Sequence, residues 1–239
     1  MQLAIRDLLR HWDLDITRLS YGRSLAGRLK ILIQRLEIDC VLDVGANVGK
    51  YAMSLRALGF RGPIISFEPA ALPFSILLER TKKERSWQAH QLALDISDGE
   101  KALNVMQDSD LNSFHHPSAY GAKCFAGDVI DHQERVPVSR LDSISTSMER
   151  FAKAKNIFLK IDTQGHDLDV FRGASGCLSQ IALLQTELSV CPIYEDIPDW
   201  QSAIGEIEGA GFVLGGLFAV SYNKAYEVIE FDGLFIREQ

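Results

Sequence analysis

Residues 40–55, CVLDVGANVGKYAMSL, run from an apolar segment through a glycine turn into a helical pattern, with Asp43 just ahead of the turn. A buried strand, a glycine turn and a helix in that order open a doubly wound α/β sheet, whose ligands sit beyond the carboxyl ends of the strands. The rest of the chain repeats the alternation. Apolar runs at 63–67, 87–94, 156–162 and 181–188 read as further strands, because continuous hydrophobicity marks parallel strands covered on both faces. Helical spacing falls between them at 49–58, 70–85 and 167–178, and again at 200–210, where Trp200, Ala203, Ile204 and Ile207 share a face. The closing stretch, GFVLGGLFAVSYNKAYEVIEFDGLFIRE at 211–238, reads as two strands joined near Asn223, an antiparallel pair at one sheet edge. The expected fold is α/β, doubly wound, mostly parallel and Rossmann-like, with an antiparallel C-terminal strand. One long irregular stretch, 107–134, interrupts the pattern, and a loop of that length in a compact domain is usually functional, here a lid, or disordered.

Ahead of the turn, Ile5, Leu8, Leu9 and Trp12 are interleaved with Arg6, Asp7, Arg10 and Asp13, and Leu25, Leu29, Leu32, Ile33 and Leu36 follow at helical spacing. The reading is of accessory helices over 1–38, a possible homo-oligomer surface, attached to one domain over 39–239. The charged interruptions break the h-region that a signal peptide needs, and no stretch is apolar enough to span a bilayer, so a cytoplasmic protein without stable membrane insertion is expected. With 239 residues, 46% hydrophobic, the chain can bury a substantial core. Its formal charge of −7 argues against a nucleic-acid partner, since such surfaces neutralise phosphates with Lys and Arg. Cys40, Cys124, Cys177 and Cys191 contain no CxxC pair and suggest neither a zinc site nor a disulfide framework.

The turn narrows the ligand. A dinucleotide fingerprint reads GxGxxG, whereas here Gly45 and Gly49 flank Asn47, and Asp43 sets negative charge where a pyrophosphate would pass. A cationic ligand without a diphosphate fits better. S-adenosylmethionine carries an ammonium, a sulfonium and a ribose diol, and Glu68, at the end of the second strand and about 20 residues beyond the turn, is placed to hold the diol. Asp95 follows the next strand, placed to accept from the adenine amino group, with Ile96 able to cover the ring.

These pieces resemble the FkbM family of S-adenosylmethionine-dependent methyltransferases: LDVGANVGKYAMSL, ISFEPAALPFSIL, ALDISDGEKALNV, LNSF, VSRLDSI, FLKIDTQGHDLDVFRGA, LLQTELSVCPIYED and the closing strands match in order from about residue 40. The resemblance implies a class I methyltransferase sheet and methylation of a hydroxyl on a sugar, glycan or natural product. It also implies cofactor contacts by Gly45, Asn47 and Glu68, Asp95 at the adenine end, and Asp162 near the transferred methyl. The helix after strand four opens with Glu in the family and with Asp167 here.

Methyl transfer draws on positioning, and an aliphatic hydroxyl must still lose its proton to a carboxylate or imidazole in reach. Asp162, at the open end of its strand, is the first candidate, and His166 in the following turn is the second. Lys160 lies deeper and calls for a buried acidic partner, Asp162 or Glu187 by topology. His115, His116 and Ser113 belong to the expected lid. Asp162 and Glu187 could present two carboxylates to a metal, but no third ligand has clear spacing, and no metal is expected. A nucleotide-dependent oxidoreductase would want the missing GxGxxG, and a non-catalytic cofactor-binding module would have no need of Asp162.

Overall fold

The computed structural model describes residues 22–125, 127 and 129–238. Ser24 caps helix α1 (Leu25–Arg35), its hydroxyl accepting from the Gly27 amide, and Leu29 and Leu32 turn inward. Strand β1 (Cys40–Val44), buried along its whole length, leads through the glycine turn to α2 (Lys50–Leu58). Then come β2 (Ile64–Phe67), α3 (Ala71–Thr81) and β3 (Trp87–His90). The chain leaves this layer for β4 (Ala93–Leu94), β5 (Gly99–Met106), α4 (Gly121–Cys124) and β6 (Ile130–Ser139). It returns through α5 (Leu141–Ser145) and α6 (Glu149–Lys153) to β7 (Ile157–Ile161), α7 (Asp167–Arg172) and β8 (Ile181–Ser189). Helix α8 (Trp200–Gly209), capped by the Asp199 carboxylate, precedes the closing hairpin of β9 (Phe212–Tyr222) and β10 (Val228–Arg237).

The main sheet has seven strands in the order β3-β2-β1-β7-β8-β10-β9. β3, β2, β1, β7 and β8 run parallel, and β10 is antiparallel to both its neighbours. From β1 the chain builds outward to β2 and β3, then crosses back to β7 on the other side, which opens a crevice at the carboxyl end of β1. The strands alternate between two cores. Leu42, Val44, Leu159, Ile161 and Leu184 pack on one face, while Val41, Phe158 and Leu183 meet Leu29, Leu32, Ala52 and Leu55 on the other. Fully burying one such side chain contributes about 1.5–3 kcal/mol.

Two expectations change. The run at 87–94 is two strands: β3 ends at His90, and β4 pairs with β6 in a separate three-stranded sheet, order β4-β6-β5. The stretch 107–134 holds α4 and the start of β6 rather than irregular chain throughout. Helix α1 packs on the sheet, where Leu29 and Leu32 belong to the same core as Val41 and Phe158. The helix read into the first residues, around Ile5 to Trp12, lies outside the described residues. Among the described residues, no helix is long and apolar enough to cross a membrane.

Candidate functional site

The glycine turn after β1 is built by close backbone approach. Gly45 has φ +71°, and a Cβ there would stand 1.8 Å from the Asp162 carbonyl oxygen, so no side chain fits. Gly49, at φ +84°, would drive a Cβ to 2.8 Å from the Trp87 ring, which makes it a packing glycine against the β3 side. Asn47 also takes positive φ, +46°. Its backbone amide donates to Glu68 Oε2 at 2.8 Å, and its side-chain amide donates to Asp110 Oδ1 at 2.8 Å and Ser109 Oγ at 3.2 Å.

Beneath the turn a polar row crosses the sheet. Asp43 is register partner to Ser66 on β2 and to Lys160 on β7. Trp87 Nε1 donates to Ser66 Oγ at 2.9 Å, Ser66 Oγ donates to Asp43 Oδ2 at 3.1 Å, and Lys160 Nζ lies 3.3 Å from Asp43 Oδ1 and 3.4 Å from Asp162 Oδ2. Lys160 also donates to the carbonyls of Val44 and Gly45, which pins the turn from below. Burial opposes its charge, but Asp162 and Asp43 hold the ammonium above its ordinary value. Asp43, not Glu187, is therefore the deep partner of Lys160. It is also fully buried, so its charge is matched inside the fold rather than turned toward a ligand.

A cavity of about 280 Å³ opens above this row. Gly45, Asn47, Glu68 and Asp162 line it, together with Leu92, Leu94, Leu103 and Phe114 as an apolar wall. Among the described residues its acidic lining is Glu68, Asp110, Asp162 and Glu187, with no Lys, Arg or His. Glu68 accepts from the amides of Asn47 and Ala70, one on each oxygen, which caps α3 and leaves a lone pair on each oxygen free. Burial pushes its carboxyl up to about 7 against the pull of those two amides. At the far wall Gln164 Nε2 donates to Asp162 Oδ1 at 2.9 Å and to Glu187 Oε2 at 3.1 Å.

Asp95, Ile96 and His166 do not line the cavity. Because β4 belongs to the second sheet, Asp95 sits fully buried, with Oδ1 3.1 Å from His166 Nε2 and Oδ2 2.5 Å from Lys101 Nζ. Ile96 is 47% exposed, and its amide donates to Asp95 Oδ1. His166 is 4% exposed, with Nδ1 3.6 Å from Asp169 and Phe114 edge-on at 5.0 Å. Asp95, His166 and Asp169 could in principle ligate a metal. Lys101 on Asp95 and Arg172, 3.0 Å from Asp169, already balance these carboxylates. Asp167 is a structural tie: it accepts from Thr163 on one oxygen and from Thr186 and the Glu187 amide on the other. Ser113 donates to the Gln164 carbonyl, and His115 packs 5.7 Å from His166. His115, His116 and Trp87 stay out of the cavity, as does Trp200. Gln164, Asp110 and Phe114 line the cavity and were not singled out from the sequence; the available signal was the TQG turn that follows β7.

The family model described as the methyltransferase FkbM domain matches residues 43–214. Methyltransferase 1 of Beauveria bassiana (strain ARSEF 2860) is 26% identical over 153 residues, 56% of this chain, and the match covers 57% of that relative. The crystal structure of methyltransferase FkbM from Methylobacillus flagellatus KT superposes with a TM-score of 0.53 at 15% identity, covering 84% of this chain and 44% of that one. A chain of the fibrillarin/Nop5p complex reaches 0.50 at 15% identity, over 90% of this chain and 82% of its own. At these identities the two structural likenesses speak for the fold. This chain thus spans about half the length of the curated relative and of the first of these structures.

Proposed function

The chain belongs to the FkbM methyltransferase family, and from that premise we propose that it binds S-adenosylmethionine in the cavity beyond β1 and methylates a hydroxyl of a sugar, glycan or natural product. The observation that carries the reading is the cavity's lining: among the described residues, four acidic side chains, no basic side chain and an apolar wall. Such a compartment suits a cation with an aromatic end and a diol. It repels a pyrophosphate, which argues against a nicotinamide dinucleotide. A module without chemistry would have no use for half-exposed Asp162 beside buried Lys160.

Glu68 would hold the ribose diol through its free lone pairs, and Leu92, Leu94, Leu103 and Phe114 would cover the adenine. When bound, the cofactor supplies an electrophilic methyl on a sulfonium. Asp162, with Oδ2 facing Lys160 and Oδ1 on Gln164, stands at the cavity wall where it can orient an acceptor hydroxyl or receive its proton. Excluding water depends on Ser109, Asp110 and Phe114, which close the cavity from the excursion between β5 and β6. The test is incubation with methyl-labelled S-adenosylmethionine and a panel of glycans, polyols and polyketides. Label on a hydroxyl oxygen supports the reading, whereas label confined to nitrogen or carbon acceptors overturns it.

A further inference from the structure

Glu187 is half-buried on β8 at the cavity wall, with acids approaching it from β7, α7 and β10. Asp162 approaches from the end of β7, Asp167 from α7, and Glu230 and Asp232 from β10, where Asp232 is its register partner. Lys160, beneath this row, is engaged by Asp43 and Asp162. Among the described residues, no Lys, Arg or His forms an ion pair with Glu187. What fixes it is neutral. Gln164 donates one amide nitrogen to both Glu187 and Asp162, and the Tyr194 hydroxyl lies 2.8 Å from Gln164 Oε1 and 3.1 Å from the Leu111 carbonyl oxygen. Gln164 sits at φ +52°, disfavoured for a side chain, and is held there by Ser113 on its carbonyl at 2.6 Å.

We propose that Glu187 is the catalytic residue that takes the acceptor's proton, with Gln164 as its positioning residue, and that it becomes a base when the cofactor's positive charge enters the cavity. The inference rests on the cofactor reading above and divides the roles left joined there: Asp162, engaged on both oxygens, orients, and Glu187 deprotonates. Burial, followed by Asp162, Glu230, Asp167 and Asp232, holds the Glu187 carboxyl far above the ordinary carboxylate range. A neighbouring positive charge opposes that shift, so Glu187 gives its proton to solvent on cofactor binding. In the transfer, the hydroxyl proton passes to a Glu187 carboxylate oxygen. The hydroxyl oxygen's lone pair forms the bond to the methyl carbon, and the electron pair of the carbon–sulfur bond stays on sulfur. Carboxylate and sulfonium charge disappear together, leaving a neutral acid beside a neutral thioether.

S-adenosylmethionine and S-adenosylhomocysteine differ by that one charge, so only the first should expel the Glu187 proton. The experiment is calorimetric titration with each, in phosphate and in Tris, from pH 6 to 9; the dependence of heat on buffer counts protons. The wild-type protein should release more protons with S-adenosylmethionine, and the ratio of the two affinities should rise with pH toward the tenfold per unit that one linked proton allows. Glu187→Gln, which keeps shape and can still accept from Gln164, should bind both compounds with equal proton counts and lose about 10²-fold or more in turnover. Gln164→Met should move the acid limb of the turnover–pH profile upward, because the ionised carboxylates lose a donor; a merely structural role would leave the profile in place. Equal counts in the wild-type protein, or a difference that persists in Glu187→Gln, overturn this inference alone. Failure of both compounds to bind the wild-type protein overturns the cofactor reading and this inference with it.

Discussion

Replacing Lys160 with Met keeps the length of the side chain and removes its charge. The ammonium faces four oxygens: Gly45 O at 3.1 Å, Val44 O at 3.3 Å, Asp43 Oδ1 at 3.3 Å and Asp162 Oδ2 at 3.4 Å. Asp162 is partly exposed and can turn to water. Asp43 cannot, being fully buried, and it keeps only the Ser66 hydroxyl. Stranding one charge of a buried pair costs about 3–5 kcal/mol. For a chain of this size each kcal/mol moves Tm by about 2–4 °C, so Lys160→Met should melt about 6–20 °C lower. Asp43→Asn should cost less, about 1–3 kcal/mol, because Lys160 retains Asp162 and two carbonyls. The double variant Asp43→Asn/Lys160→Met should recover at least half of the Lys160→Met loss, since no buried charge is then unpaired. Urea denaturation with scanning calorimetry measures all three. A Lys160→Met protein within about 1 kcal/mol of wild type, or a double variant no more stable than that single one, would refute the pairing.

Glu68→Ala should weaken S-adenosylmethionine binding by about 1–3 kcal/mol in calorimetry if its carboxylate holds the diol; an unchanged Kd would leave Glu68 as a helix cap only. Asp162→Asn should bind the cofactor within about threefold of wild type yet lose at least about tenfold in turnover. His166→Gln should keep its turnover and lose about 1–3 kcal/mol of stability, because His166 serves Asp95 behind the cavity; the reverse pattern in these two variants would make His166 the base. Burial raises Glu68 and Glu230 to about 7 and Asp232 to about 6. Groups raised in the folded state contribute their stability in full below their unfolded pKa and lose it as pH climbs through the folded one. The ligand-free Tm should therefore fall between pH 5 and pH 8, and a Tm that rises across this window would contradict the assignment.

The parallel strands were legible because burial on both faces forces continuous apolar runs such as VLDV and FLKI. The second sheet was not. The first parts of β5 and β6 are largely exposed, where GEK and DHQER are polar and charged, and β6 carries Pro137, so both read as loop. That omission misplaced Asp95: with 87–94 taken as one strand it stood at the end of the main sheet, whereas the break after His90 puts it behind the cavity wall. Within the site, Gly45, Asn47, Glu68 and Asp162 were legible because each lies at or next to a strand end, where position along the chain fixes position at the crevice. Asp43 as the partner of Lys160 depends on cross-strand register between residues far apart in sequence. Gln164 depends on a left-handed turn that only the neighbouring Gly165 hinted at.

The central claim is that the carboxylate-lined cavity beyond β1 is a site for S-adenosylmethionine. Its most direct test is one calorimetric comparison of S-adenosylmethionine, S-adenosylhomocysteine and NAD on the same protein sample. Saturable one-to-one binding of the first two with no heat from NAD is the predicted result. Saturable binding of NAD, with neither S-adenosyl compound bound, would contradict it.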